Sequence, residues 1–135
     1  MPKPIPNTQT GSLTDHQRGT DDTLIGVDNA LNTLYGDAFA MDDHARGGND
    51  TLIGGANATN TLYGDASAMH DHASGGNDML IGGANATNTL YGDAFAMHDH
   101  ARGGTTICLA AMARRTASTA TPRPWMATAA AAMTR

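Results

Sequence analysis

Glutamate is absent from this chain of 135 residues, so all 13 acidic side chains are aspartate. Glutamate suits helices, whereas aspartate suits turns and gives hard cations a short, stiff reach. Large aliphatic and aromatic side chains are scarce as well. Leu, Ile, Val and Phe together make up 17 of 135 residues, too few for a conventional core. The hydrophobic fraction of 40% owes much to alanine, a large share of it after Gly104. One cysteine, Cys108, excludes an internal disulfide. No apolar run approaches the ~18 residues of a membrane-spanning helix. The net charge of −5, without a basic stripe, argues against a nucleic-acid partner. The opening Met1-Pro2-Lys3-Pro4-Ile5-Pro6 has no apolar stretch of the kind that leads a Sec-type signal.

What is present is glycine, 16 residues of it, and a repeat. Gly47-Gly48-Asn49-Asp50-Thr51-Leu52-Ile53-Gly54-Gly55 returns 28 residues later as Gly75-Gly76-Asn77-Asp78-Met79-Leu80-Ile81-Gly82-Gly83. A worn copy lies one period earlier at Gly19-Thr20-Asp21-Asp22-Thr23-Leu24-Ile25-Gly26. Thr33-Leu34-Tyr35-Gly36-Asp37-Ala38 recurs at 61–66 and 89–94, and Asp43-His44-Ala45-Arg46 recurs at 71–74 and 99–102 with Ser74 for the arginine. The chain therefore divides into a Pro-rich, disordered lead (1–12), a repeat array (13–104) and a Thr/Ala/Arg-rich tail (105–135).

Each unit holds three nonapeptides and one extra glycine. The first two read as a turn followed by a very short strand. Gly, Asn and Asp tolerate the positive φ that tight turns use, and Thr-Leu-Ile and Thr-Leu-Tyr alternate between two faces. Three residues make a strand only when stacked on copies of themselves, with Leu24, Leu52 and Leu80 in one column and Leu34, Leu62 and Leu90 in another. The predicted fold is all-β: a parallel β-roll or β-solenoid of short strands with Gly/Asn/Asp turns, and an irregular or partly helical C-terminal tail. The third nonapeptide, Gly-Asp-Ala-x-Ala-Met-x-Asp-His, admits a third strand, but its alanine-rich composition favours a loop or a short helical turn.

Glycine-rich nonapeptides ending Asp-x-Leu-x resemble the repeats-in-toxin (RTX, hemolysin-type) calcium-binding β-roll, a repeat with a known mechanism of turn-bound calcium. The resemblance covers about two-thirds of the chain. It implies calcium held between successive turns by carboxylate and backbone carbonyl oxygens. Carried over, the carboxylate position falls on Asp22, Asp50 and Asp78, with Asn49, Asn77, Gly47 and Gly75 in the same turns. The second nonapeptide places Asn60 and Asn88 at that position, and the third has methionine there, with Asp37, Asp65 and Asp93 in its turn as substitutes. The family is usually exported by a type I machine reading a C-terminal signal, so an extracellular parent is implied.

Other chemistry is weaker. His70-Asp71-His72 and His98-Asp99-His100 have the i, i+2 spacing of a transition-metal pair on a strand, but a solvated loop is the favoured reading, since the first copy has Asp42-Asp43-His44. Asn57-Ala58-Thr59 and Asn85-Ala86-Thr87 match a glycosylation pattern that comes with the repeat. Tyr35, Tyr63 and Tyr91 are expected to stack. No nucleophile, base and orienting group fall together, so an enzyme is not expected. Three functions remain: calcium binding in a fragment of a secreted repeat protein, a metal-independent structural or adhesive solenoid, and a truncated product without function. Weak self-association through an exposed end coil is also expected.

After Gly104 the repeat ends abruptly. If the codons of residues 105–134 are regrouped one base earlier, suitable third bases yield a sequence matching residues 77–104 at 17 of 28 positions, with Leu-Tyr-Gly-Asp-Ala in register. The tail is thus read as a further repeat displaced by a one-base slip near codon 105. The gene sequence is expected to contain that repeat in the alternate frame; a gene without it overturns the reading.

Overall fold

The structure, a computed structural model, describes residues 11–110. The lead up to residue 10 and the tail from 111 onward, with the helical turn expected there, lie outside the described residues. The chain forms β1 (Ser12–Leu13), β2 (Thr23–Ile25), β3 (Leu31–Tyr35), β4 (Ala40–Met41), β5 (Thr51–Ile53), β6 (Thr59–Tyr63), β7 (Ala66–Met69), β8 (Met79–Ile81), β9 (Thr87–Tyr91), β10 (Ala94–Met97) and β11 (Ile107–Leu109). No helix occurs among the described residues. All pairings are parallel and in register at 28 residues, giving a solenoid with three sheets: β2-β5-β8-β11, β3-β6-β9 and β1-β4-β7-β10.

Repetition turns scarce apolar residues into continuous cores. Leu24, Leu34, Leu52, Leu62 and Leu80 pack between the first two sheets, with Leu90 and Cys108 extending the column. The ladder runs past residue 104, the expected end of the array. Cys108 in β11 pairs with Leu80, so a small apolar thiol continues the leucine column.

The third nonapeptide corrects the sequence reading. The expected loop or short helical turn is strand, and β4, β7 and β10 form the third sheet. Alanine has low strand propensity, but in-register neighbours supply ladder hydrogen bonds, on both sides for β4 and β7, and context overrides propensity. The small side chains also leave room for a second core, made of Ala38, Met41, Ala45, Ala66, Met69 and Ala73, separate from the leucine core. Each coil is therefore a two-sheet roll with a side lobe. The lobe closes on itself where the Gly48 N–H donates to Asp37 Oδ2 at 2.9 Å, across eleven residues.

The turns use their residues differently from expectation. Positive φ falls on Asn29, Asn57 and Asn85 and on Asp-His pairs such as Asp43-His44 and Asp71-His72, types that tolerate it. No described glycine has positive φ. Glycine is needed for close approach instead: a Cβ on Gly76 would lie 1.3 Å from the Gly48 carbonyl oxygen of the coil before it.

At the corner joining the first two sheets, Asn32, Asn60 and Asn88 form a buried amide ladder. The Asn60 Oδ1 accepts from Asn32 Nδ2 (2.8 Å) and from the Gly55 N–H (3.0 Å), while its Nδ2 donates to the Gly55 carbonyl (2.9 Å) and to Asn88 Oδ1 (2.8 Å). Every donor and acceptor of this fully buried side chain is used. Asn60→Ala orphans both backbone groups of Gly55, at about 1–3 kcal/mol for each buried group left unpaired. Denaturant unfolding of this variant is expected to show that loss, whereas a midpoint equal to wild type would contradict it.

Candidate metal centre

The turns from the third sheet into the first carry Asp22, Asp50 and Asp78; those from the second sheet into the third carry Asp37, Asp65 and Asp93. Both sets meet at the neck between roll and lobe. In all of these except Asp22, one carboxylate oxygen is fixed by a backbone donor. The Asp22 N–H donates to Asp50 Oδ1 at 2.6 Å and the Asp50 N–H to Asp78 Oδ1 at 2.9 Å. The Gly48, Gly76 and Gly104 N–H groups donate to Asp37 (2.9 Å), Asp65 (2.7 Å) and Asp93 (2.5 Å). The other oxygen is different. Asp37 Oδ1, Asp50 Oδ2, Asp65 Oδ2 and Asp78 Oδ2 are buried with no hydrogen-bond partner. Asp50, Asp65 and Asp78 expose only 2%, 0% and 3% of their surface, so these oxygens are shielded from bulk solvent.

Three of the carboxyl groups converge. Asp65, Asp78 and Asp93 each bring one carboxylate oxygen within 4.8 Å of the others. Glycine makes the space. A Cβ on Gly64 would meet the Gly92 carbonyl oxygen at 1.8 Å and Asp78 Oδ2 at 2.3 Å, so a backbone carbonyl stands beside an unpartnered carboxylate oxygen. One coil earlier, a Cβ on Gly36 would meet the Gly64 carbonyl oxygen at 1.8 Å and Asp50 Oδ2 at 2.2 Å.

Such a column is electrostatically frustrated. Two carboxylates at this spacing repel by about 3 kcal/mol at an effective dielectric near 20, against a net stability of only ~5–15 kcal/mol for a typical domain. Burial pushes Asp50 up to about 8. Burial, with repulsion from Asp78, pushes Asp65 up to about 9. Burial also raises Asp37 and Asp78, each to about 6, where the Gly48 and Asp50 N–H groups restrain the rise. Asp93 is raised by burial too. The frustration is relieved either by protons or by a cation. The donors are all oxygen, which selects hard cations over transition metals.

The structure thus brings Asp37, Asp50, Asp65, Asp78 and Asp93 into one column. Gly47 and Gly75 border it: a Cβ on Gly47 would lie 1.7 Å from Asp65 Oδ1, and one on Gly75 would lie 2.3 Å from Asp65 Oδ2. Asp22 sits at the half-buried start, where its Oδ2 accepts from Thr20 Oγ1 at 2.8 Å. Asn49 and Asn77 form an exposed outer row, with the Asn77 N–H donating to Asn49 Oδ1 at 2.9 Å. Together with Asp50 and Asp78 they border an open surface groove of about 590 Å³. Asn60 and Asn88 are corrected as ligands. Each amide oxygen already accepts two hydrogen bonds, Asn88 Oδ1 from Asn60 Nδ2 and the Gly83 N–H, and has no lone pair left for an ion. The histidines stack in columns, with His44–His72 and His72–His100 centroids 4.9 Å apart. Among the described residues, no cluster of three ligating atoms includes a histidine.

The sequence named all these aspartates but not their convergence. The available signal was the constant spacing of eleven residues from Asp37 to Gly48, Asp65 to Gly76 and Asp93 to Gly104.

Fold and site define a three-sheet parallel β-solenoid with an internal acidic column. No protein-family model matches the chain, and no curated protein or solved structure matches it.

The raised carboxyl groups fix the pH dependence of the fold without added cations. Folded values lie above the ordinary 3.8, so the folded state holds more protons between that value and about 9, and stability falls as pH rises through this window. In chelator, thermal unfolding is expected at a higher temperature near about pH 5 than near about pH 9. A midpoint that rises with pH in chelator would contradict it.

Proposed function

We propose that the chain is a calcium-binding repeat segment of the RTX-like kind, taking its ions at the neck between roll and lobe. The observation that carries this reading is the set of buried, unpartnered carboxylate oxygens beside backbone carbonyls. Calcium accepts six to eight oxygens in irregular geometry, carbonyls included; magnesium demands a near-ideal octahedron and keeps several waters. A buried neck of carboxylates and glycine carbonyls suits the former.

Asp65 leads into a lobe and Asp78 follows its exit, so one ion touching both clamps that lobe to the roll. Binding displaces the protons the carboxyl groups hold, so it weakens as pH falls. An ion bound only by the folded state adds stability in proportion to the logarithm of its concentration, about 2.7 kcal/mol at a hundred times Kd. Secretion of the parent protein belongs to the same proposal and rests on the family resemblance.

A metal-independent structural solenoid is the second reading. The Asn32–Asn60–Asn88 ladder and the two apolar columns favour it, because neither uses an ion. Far-UV circular dichroism during a calcium titration from a chelated start separates the two. The calcium reading expects the β signal or its thermal midpoint to rise with calcium and not with equimolar magnesium. A β spectrum in chelator, with no response to millimolar calcium, would leave the structural solenoid.

A further inference from the structure

We infer that Asp65 is a bridging ligand, one carboxylate shared by two cation sites stacked a single coil apart. The inference rests on the cation-binding reading above and goes on to assign ligands and stoichiometry.

Its basis is where the two oxygens of Asp65 lie. Oδ1 is on the Asp37 side: it lies 1.7 Å from the point a Cβ on Gly47 would occupy, and Asp37 Oδ2 lies 2.8 Å from that same point. Oδ2 is on the Asp93 side: it lies 2.3 Å from the corresponding point on Gly75, and Asp93 Oδ1 lies 2.6 Å from it. Asp65 is fully buried between these neighbours, and Oδ2 has no hydrogen-bond partner. The lower site gathers Asp65, Asp78 and Asp93 with the Gly92 carbonyl beside Asp78 Oδ2. Shifting this set up by 28 residues gives Asp37, Asp50 and Asp65 with the Gly64 carbonyl beside Asp50 Oδ2; Asp37 Oδ1 and Asp50 Oδ2 are both buried and unpartnered, while the three carboxylates stand wider apart than those of the lower set. Asp65 alone belongs to both sets.

Among the described residues the array holds two such sets. A third, one coil lower, would use Asp93 again and would need a carboxylate at position 106. Thr106 stands there, and its Oγ1 donates to the Gly92 carbonyl at 3.2 Å. At the upper end Asp22 has its Oδ2 engaged by Thr20. The central carboxylate therefore controls the whole set, while Asp37 and Asp93 each serve one site.

Calorimetric titration of the full chain with calcium, near neutral pH, tests this. Wild type is expected to bind two ions. Asp37→Asn and Asp93→Asn are each expected to keep one, and Asp65→Asn to weaken both by at least ~10-fold. Asparagine keeps the shape and removes the repulsion, and circular dichroism of each variant in chelator confirms that the fold is retained. Terbium bound in one site with europium in the other gives a second readout, since a shared carboxylate places them close enough for efficient energy transfer. A wild-type stoichiometry of one, or an Asp65→Asn chain that still binds one ion at wild-type affinity, overturns the shared ligand while leaving cation binding intact. A wild-type chain that binds no calcium overturns the cation-binding reading itself, and the bridge with it.

Discussion

A solenoid built from one repeated sequence sets each side chain against its own copy, about 4.8 Å away, as the stacked Tyr35, Tyr63 and Tyr91 rings show. Everything else in this molecule follows from that spacing. For leucine, methionine and alanine the arrangement is favourable, because like packs on like and a few residues per coil form an unbroken core. For asparagine it is also favourable, because a primary amide is both donor and acceptor and hydrogen-bonds its neighbour. For aspartate it is unfavourable, because a carboxylate is only an acceptor and carries the same charge as its neighbour.

The repeat places each of these residue types in its own column. Asparagine occupies the corner of the roll that has no other means of satisfying the Gly55 and Gly83 backbone groups. Aspartate occupies the neck, where backbone N–H groups take one oxygen and leave the other unpaired. An asparagine at 65 would be neutral and would offer an N–H to its carboxylate neighbours. An acid in that position stores an electrostatic cost that a proton or a cation removes, which gives the fold a dependence on solution conditions that its apolar columns do not have. Glycine lets carbonyls and carboxylates come together there, since at Gly36, Gly47, Gly64 and Gly75 a Cβ would fall among the oxygens.

Much of this was legible in the residues. The period of 28, the leucine columns and the parallel pairing follow from periodicity, because three-residue strands have no stable partner other than their copies. The identity of Asp37, Asp50, Asp65, Asp78 and Asp93 as candidates was legible too, since acids at fixed positions in glycine-rich turns have few other uses. The third sheet was not. Ala66-Ser67-Ala68-Met69 has the composition of a loop, and what makes it strand is the ladder to β4 and β10, a tertiary property. The role of Asn60 and Asn88 was misjudged for a related reason. Asparagine at an aspartate position resembles a ligand in one dimension, and only the stacked neighbours reveal that its amide is already saturated.

The sequence by itself determined the coil length, the register and which residues stack, because a strict period admits one in-register pairing and a slip of one residue would invert the faces. The tertiary structure alone decided that two unlike turns, whose aspartates Asp65 and Asp78 stand 13 residues apart, meet at one neck, and that Asp65 lies between Asp37 and Asp93. That decision depends on how the Ala/Met lobe folds back on the roll, and a closure across eleven residues of low strand propensity is fixed by packing and backbone hydrogen bonds between coils, which no single repeat contains.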